Sequence, residues 1–349
     1  MTSQEYWRRR AEAREGLAFQ RAEQAQKSLS RAYRKAYRDL DADIRQLFNR
    51  YGSRNNMTPE EAEKFLSARE LEGWANDMRQ RIASMTDSPQ RQRLQDQMDE
   101  ALAMRYRISR AEALQQGVDV RLSHLADEAV NISTKALTDV LENSYYRHIF
   151  DMQKGMGFSF SFQTLTMATT KEILSRRWSG DNYSGRIWKN ADRLAAEVKE
   201  TLTAGLETGR SYRSMTKDVM EKMSAGNYEA ARLIHTEASA MHNAADLATY
   251  KTAGIEWVMF VATLSEKTCD ECGDLDRTKI AVKDLEQGEN LPPIHPWCRC
   301  RTVMWIDAAE TEAWKRSARD PKTGKNVKVP YSMSFNDWRG KYVDGPKAQ

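Results

Sequence analysis

Cys269-Asp270-Glu271-Cys272 and, after a spacer of 22 residues, His295-Pro296-Trp297-Cys298-Arg299-Cys300 hold every cysteine of the 349-residue chain. In a Cys-x-x-Cys loop the tight turn folds both sulfurs to one side, where they reach a single ion at about 2.3 Å. The second arm adds an imidazole and two more sulfurs, and Pro292-Pro293 and Pro296 stiffen it, so less loop entropy is lost when a metal closes the site. Cys269, Cys272, His295, Cys298 and Cys300 are thus five candidate ligands for an ion that needs four. Four thiolates, or three with His295, make a closed site without the open position of catalytic zinc, which predicts structural Zn2+. Buried free thiols, or disulfide and redox chemistry, are the competing uses. Spacing does not choose the four.

Outward from the cysteines, 255–261 has the aromatic and branched content of a buried strand, and 302–306 offers a second that could pair with it. Gly254 ends a helix expected over 228–252, which Gly226-Asn227 separates from a short one at 212–223. A further helix is expected over 186–206, after the turn-rich run 178–185. Phe158, Phe160 and Phe162 alternate with Ser159 and Ser161 at the period of a half-buried strand.

The first 150 residues read as helix. Leu29, Tyr33, Ala36, Leu40, Ile44, Leu47 and Tyr51 recur every three or four positions along 4–51, and Gly52 with Asn55-Asn56 stops the run. Thr58-Pro59-Glu60-Glu61 is an N-cap with a capping box, opening a helix to about 84. Ser88-Pro89 opens another that Gly117 should stop, and a fourth spans 119–150. Beyond 311 the chain is polar and basic, with Pro321, Gly324, Pro330, Gly340, Gly345 and Pro346 breaking any long element, so an extended tail is expected. The resulting fold class is α+β, predominantly helical: a long helical module over 1–154, a compact zinc-stapled domain with a small sheet over 155–310, and a tail over 311–349.

Charge and hydropathy limit the function. Mean hydropathy is −0.76 and no run of about 18 apolar residues exists, so neither a spanning helix nor a secretion signal is expected, and the compartment predicted is a reducing cytoplasm. The net charge of +4 predicts no particular partner, although residues 1–55 hold 13 Lys/Arg against 7 Asp/Glu. Trp7 with Arg8, Arg9 and Arg10, and Tyr33, Arg34, Lys35, Tyr37 and Arg38, are the candidates there for contact with DNA.

The run Cys269-Asp270-Glu271-Cys272-Gly273-Asp274-Leu275-Asp276, followed by Leu291-Pro292-Pro293-Ile294-His295-Pro296-Trp297-Cys298-Arg299-Cys300-Arg301-Thr302, resembles the signature of phage head morphogenesis proteins similar to the F protein of phage Mu. Ala231-Arg232-Leu233-Ile234-His235-Thr236-Glu237 with Asn243 looks like that family's preceding helix. Here Arg232 and Glu237 stand five apart, where the family motif is tighter. Val329 to Trp338 resembles the tails of minor capsid proteins from phages of Gram-positive hosts. The resemblance covers about 160–306. It implies a minor head protein in few copies, held at the portal protein inside the capsid of the virion after assembly in the host cytoplasm. Double-stranded DNA and major capsid or scaffolding protein are the further partners implied, with a part in DNA packaging or ejection.

Enzymatic signatures are missing from the sequence: there is no His-Glu-x-x-His, Gly-x-Ser-x-Gly or phosphate-binding glycine loop. No catalytic residue is expected, and Arg232, His235, Glu237 and His242 read as a polar helix face packed on the cysteine loop. Some proteins of the family carry toxin domains, so an ADP-ribosyltransferase-like or nuclease enzyme is the alternative, although the roughly 40 residues after the last strand are too few for a further domain. A zinc-ribbon nucleic-acid binder is the third reading.

Overall fold

The computed structural model describes the backbone of residues 3–52, 57–103, 108–157, 159–305 and 315–344, with side chains except those of 3–5 and 100–103. The elements in order are α1 (Ser3–Tyr51), α2 (Pro59–Ala62), α3 (Ala68–Ala83), α4 (Pro89–Ala103), α5 (Arg110–Met156), α6 (Met167–Leu174), α7 (Tyr183–Glu207) and α8 (Tyr212–Thr252). They continue with β1 (Trp257–Val261), α9 (Asp270–Leu275), β2 (Lys279–Ala281), β3 (Arg301–Met304), β4 (Lys315–Arg319), β5 (Asn326–Pro330) and α10 (Phe335–Tyr342). The class is α+β and mostly helical. No helix among the described residues is long and apolar enough to cross a membrane.

The chain forms two compact units that interleave along the sequence. Unit 1 takes 1–24, 134–182 and 232–349, and unit 2 takes 25–133 and 183–231. Residues 1–154 therefore contribute to both, because α1, α5 and α8 each supply turns to each unit.

Unit 2 is a helical assembly built on the stripe of α1. Leu29, Tyr33, Ala36, Leu40 and Ile44 are buried, and most of that stripe joins Leu122 and Leu125 of α5, Leu194, Val198 and Leu202 of α7, and Met215 and Val219 of α8 in one aliphatic cluster. Thr58 caps α2 with the reciprocal capping box its sequence announces. The helix expected from there to 84 is broken at 63–67, where Leu66 N–H bonds to Ile108 O and Ser67 starts a second capping box with Glu70. Gly117 does not stop a helix but sits inside α5, and Gly226 sits inside a continuous α8. A Cβ on Gly226 would meet Leu194 Cδ2 at 2.8 Å and the Tyr33 ring at 3.1 Å, so that glycine serves close packing rather than termination. The Asn55-Asn56 turn lies outside the described residues.

Unit 1 contains a three-stranded antiparallel sheet in the order β2-β1-β3, with Val258 opposite Ile280 and Met304, and Met259 opposite Lys279 and Val303. The strands expected on either side of the cysteines thus pair directly; Ile306 lies outside the described residues, and β2 between them was not foreseen. The Phe-Ser alternation forms no strand. Phe158 is outside the described residues, and side chains take the carbonyls a ladder would use: Gln153 Nε2 donates to Phe160 O at 2.9 Å and Tyr145 O–H to Gln163 O at 2.8 Å. The expected extended tail is corrected as well. β4 and β5 form a hairpin, Lys315 opposite Pro330, and α10 buries Phe335 and Trp338 with Leu264, Ala318 and Val329. Pro330 ends its strand, where a missing N–H costs no ladder bond.

Candidate metal centre

The first arm leaves β1 through 262–268 and enters α9 with Cys269 at the N-cap, where its Sγ accepts from Cys272 N–H at 3.3 Å. That cap turns both sulfurs inward. The second arm comes back through Trp297, whose φ of 65° reverses the chain just before Cys298. Cys272 and Cys298 Sγ then stand 3.9 Å apart. Sulfurs bound tetrahedrally at about 2.3 Å from one ion are about 3.8 Å from each other, so this pair has the separation zinc requires.

All five predicted residues are brought together. Ligand atoms of Cys269, Cys272 and His295 lie within 4.8 Å of one another, as do those of Cys272, Cys298 and Cys300, so Cys272 belongs to both groups. All four thiols are unbridged; Cys272, Cys298 and Cys300 are buried and Cys269 is half-buried. Phe260 and Ala262 are buried beside them. His295 Nδ1 lies 2.7 Å from Pro296 O; a carbonyl only accepts, so Nδ1 carries the proton and Nε2 is left to face an ion. Sulfurs this close couple strongly, and their negative charge gathers on one of them. Hydrogen bonds from Cys272, Cys300 and His295 hold the Cys298 thiol far below its usual pKa, the Cys272 thiol is pushed up by its bond to Cys298, and the bond to Cys298 pushes His295 up to about 9. The donor set and its burial fit a closed zinc site.

Support for the two arms comes from residues that the pattern of cysteines does not reveal. Asp276, fully buried at the end of α9, accepts from Ala262 N–H at 2.8 Å, Phe335 N–H at 2.8 Å and the guanidinium of Arg316 at 2.8 and 3.0 Å. Phe335 itself lies on Gly273, where a Cβ would come within 2.3 Å of its ring. The C-terminal hairpin and α10 therefore brace the Cys-x-x-Cys arm. The only sequence signal was the Asp and Gly inside the motif, since Arg316 is 40 residues away.

The face of α8 braces the second arm. Thr236 Oγ1 accepts from Trp297 N–H at 3.1 Å, the His235 ring is 4.9 Å from the Trp297 ring, Trp178 Nε1 donates to Glu237 Oε2 at 3.2 Å, and Gln287 Nε2 donates to Ala240 O at 2.9 Å. His235 and Glu237 are buried, whereas Arg232 is exposed, so these three do not form one cluster. Deeper in unit 1, Arg14 of α1 bonds to Asp151 of α5 at 2.7 Å, His148 Nδ1 lies 2.6 Å from Asp246 of α8, and His242 Nδ1 lies 3.0 Å from Ser144 Oγ. Burial lowers His242 to about 4 and lowers His148, while the facing His148 ring and the Arg14 guanidinium hold Asp246 far below the usual carboxylate range despite its burial. The network is therefore a buried Arg–carboxylate pair of charges flanked by neutral imidazoles.

Among the candidates for DNA contact, Trp7 and Tyr33 are buried, the Trp7 ring lying on Gly155, and both are corrected to core residues. Arg8 pairs with Glu12 and Arg10 with Asp151, while Arg9, Arg34, Lys35 and Arg38 are exposed.

The molecule is thus of a definite class, a mostly helical α+β protein with a largely buried cluster of four thiols and one imidazole beside a small sheet. Residues 196–303, which contain α8, both cysteine arms and all of the sheet but Met304, match the family model of phage Mu protein F like proteins. The chain is also similar to an NAD(+)--arginine ADP-ribosyltransferase EFV of Enterococcus faecalis (strain ATCC 700802 / V583), at 22% identity over 214 residues, 56% of this chain and 42% of that protein. The chain spans about two-fifths of that relative's length. No solved structure matches.

Proposed function

We propose that this protein is a structural minor head protein of a phage, bound to the portal protein inside the capsid, with a zinc ion as a rivet rather than a reagent. The observation that carries the reading is the coincidence of the Mu F-like match with the two cysteine arms: the matched segment ends at residue 303, just past Cys300. Cys272, Cys298 and Cys300 supply three ligands, and Cys269 or Nε2 of His295 the fourth. The ion joins α9 to the loop before β3, and its partner surfaces are other virion proteins: the portal protein, and major capsid or scaffolding protein. DNA packaging or delivery, and direct contact with double-stranded DNA, follow from a place in the capsid interior; Arg9, Arg34, Lys35 and Arg38 are exposed cations available for it.

The test is assembly. Co-expressed full-length protein, portal protein and major capsid protein of the same phage should yield heads that retain this chain at a few copies and lose it when portal protein is omitted. Heads that assemble with normal portal content and never contain the chain overturn the reading.

The Enterococcus relative favours a second reading, transfer of ADP-ribose from NAD to arginine. Full-length protein incubated with labelled NAD and an arginine acceptor decides it. Labelled product that disappears in Arg232→Ala or Glu237→Ala establishes the enzyme. The burial of Glu237 beside Trp178, with Arg232 out in solvent, supports the structural role instead.

A further inference from the structure

Unit 2 carries a cleft of about 670 Å³ walled by α1, α3 and α5. That volume is in the range of occupied ligand sites. Leu47, Trp74 and Leu114 give it an apolar surface, and its charges do not balance. Asp43 is held by Arg81 and Arg121 at 3.1 and 3.0 Å, Asp77 by Arg81 at 2.6 Å, and Glu70 by the Ser67 capping box and the Tyr51 hydroxyl. Arg50 and Arg69 on the rim form no ion pair among the described residues, Arg50 lying over the Tyr51 ring at 5.9 Å, and Arg110, stacked 3.5 Å from the centre of that ring and donating to Glu61 O at 3.1 Å, keeps a buried Nε without a hydrogen-bond partner. The charge left without an opposite charge here is positive.

Two glycines sharpen the picture. Gly73 lies inside α3 and Gly117 inside α5, both line the cleft, and a Cβ on either would meet nothing within 4 Å. Glycine in a helix interior weakens the helix relative to alanine, and neither position needs a positive φ or a close neighbour from this chain. What the pair keeps is clearance at backbone level on two walls of one cleft.

We infer that this cleft is a docking site for an acidic amphipathic helix of a partner protein. The helix lays its apolar stripe on Leu47, Trp74 and Leu114, its backbone passes close to Gly73 and Gly117, and its flanking carboxylates meet Arg50 and Arg69. The site is independent of the zinc cluster and of the phage-head assignment.

The probe is a fluorescein-labelled peptide of about five helical turns with leucines on one face and glutamates flanking them, compared with a twin carrying lysines for glutamates. Full-length, metal-replete protein should bind the glutamate peptide in a salt-sensitive manner and leave the lysine twin unbound. Arg50→Glu with Arg69→Glu should weaken binding by about tenfold or more. Gly73→Ala and Gly117→Ala should weaken it too, while each raises the unfolding midpoint by about 2–4 °C, because here the fold gains what the site loses. Equal binding of the twins, unchanged binding in the glycine variants, no binding by the native chain, or a lowered midpoint in the alanine variants overturns the inference. Displacement of the peptide by micromolar ATP would assign the cleft to small anions and overturn the helix as its occupant.

Discussion

Units 1 and 2 are built from the same three long helices and yet cohere by different physics. Unit 2 buries most of its apolar side chains in one large cluster to which four long helices contribute, with a smaller one of Ala75, Met78, Ile82, Met98 and Val120 beside α3 and α4. Unit 1 has several small clusters around its strands and relies on point fastenings: a thiol cluster, a buried Asp276–Arg316 pair and a network of charges around Arg14. Losing one leucine from a continuous core subtracts a few contacts, whereas losing one member of a buried ionic or metal-ligand set leaves its partners desolvated and unpaired. Single polar lesions should therefore be more severe, and more local, in unit 1.

The largest expected effect is metal removal. Cys272→Ser, or chelation of the native chain, should release about one zinc per chain and cost on the order of 10 kcal/mol of unit 1 stability. Hydrogen exchange should accelerate across 257–304 and 315–342, with the stretch 29–48 of unit 2 unchanged. Uniform acceleration, or zinc-free purified protein, would break the contrast. Parallel Cys269→Ser and His295→Ala variants identify the fourth ligand, since only the true ligand's loss lowers zinc content.

Next comes Asp276→Ala, which strands the buried Arg316 guanidinium together with the N–H groups of Ala262 and Phe335. Removing one partner of such a pair costs about 3–5 kcal/mol. Denaturant unfolding should show that loss, and a double Asp276→Ala, Arg316→Ala variant should recover part of it, because the orphaned charge is gone. Strict additivity would mean the two side chains act separately.

Acid separates the units a third way. His242, lowered from 6.5 to about 4 by burial, takes up a proton more readily in the unfolded chain, so its contribution is present above 6.5 and is lost as pH falls toward 4. The linkage is on the order of 3 kcal/mol, and His148 and Asp246, both lowered, act in the same direction. Glu15, raised by burial, works oppositely, its stabilisation fading as pH rises past 4.5. In unit 2, Asp43 and Glu70 are lowered carboxylates that keep their charge until the pH drops below their ordinary values of 3.8 and 4.5. Exchange measured between pH 6.5 and 4.5 should therefore loosen unit 1 first, and His242→Asn should flatten that dependence. Simultaneous loosening of both units falsifies the buried-imidazole account.

Legibility in the sequence depended on whether a signal was local or came from a contact distant in the chain. The stripe of α1, the Thr58 cap, the pairing of β1 with β3 and the convergence of five ligand candidates are local or periodic signals, and each was readable. Gly117 and Gly226 misled because glycine at the end of a periodic run carries the same letter whether it stops a helix or makes room. Gly226→Ala should cost about 1–3 kcal/mol by overpacking Leu194 and Tyr33, measurable as a lower unfolding midpoint. The C-terminal hairpin was invisible because its two strands hold few apolar residues, and what orders them is Arg316 reaching Asp276, a contact 40 positions apart. The interleaved units escaped for the same reason: no break in α1, α5 or α8 marks where one core ends and the other starts.

The smallest effects test reach rather than depth. Thr58 caps α2 in unit 2 and Ser334 caps α10 in unit 1, each with a reciprocal box to the third residue of its helix. Either change to alanine removes similar capping chemistry and should cost about 1 kcal/mol. Their consequences should differ, because α2 adds only Ala62 to a large aliphatic cluster while α10 presses Phe335 onto Gly273 between the two cysteines' helix and the hairpin. Ser334→Ala should thus raise hydrogen exchange at 269–276 as well as at its own helix, whereas Thr58→Ala should be felt at 58–62 alone. If both lesions stay local, the C-terminal helix is a passenger on the metal arm; if Ser334→Ala also lowers zinc affinity, the helix is part of what keeps the thiols together.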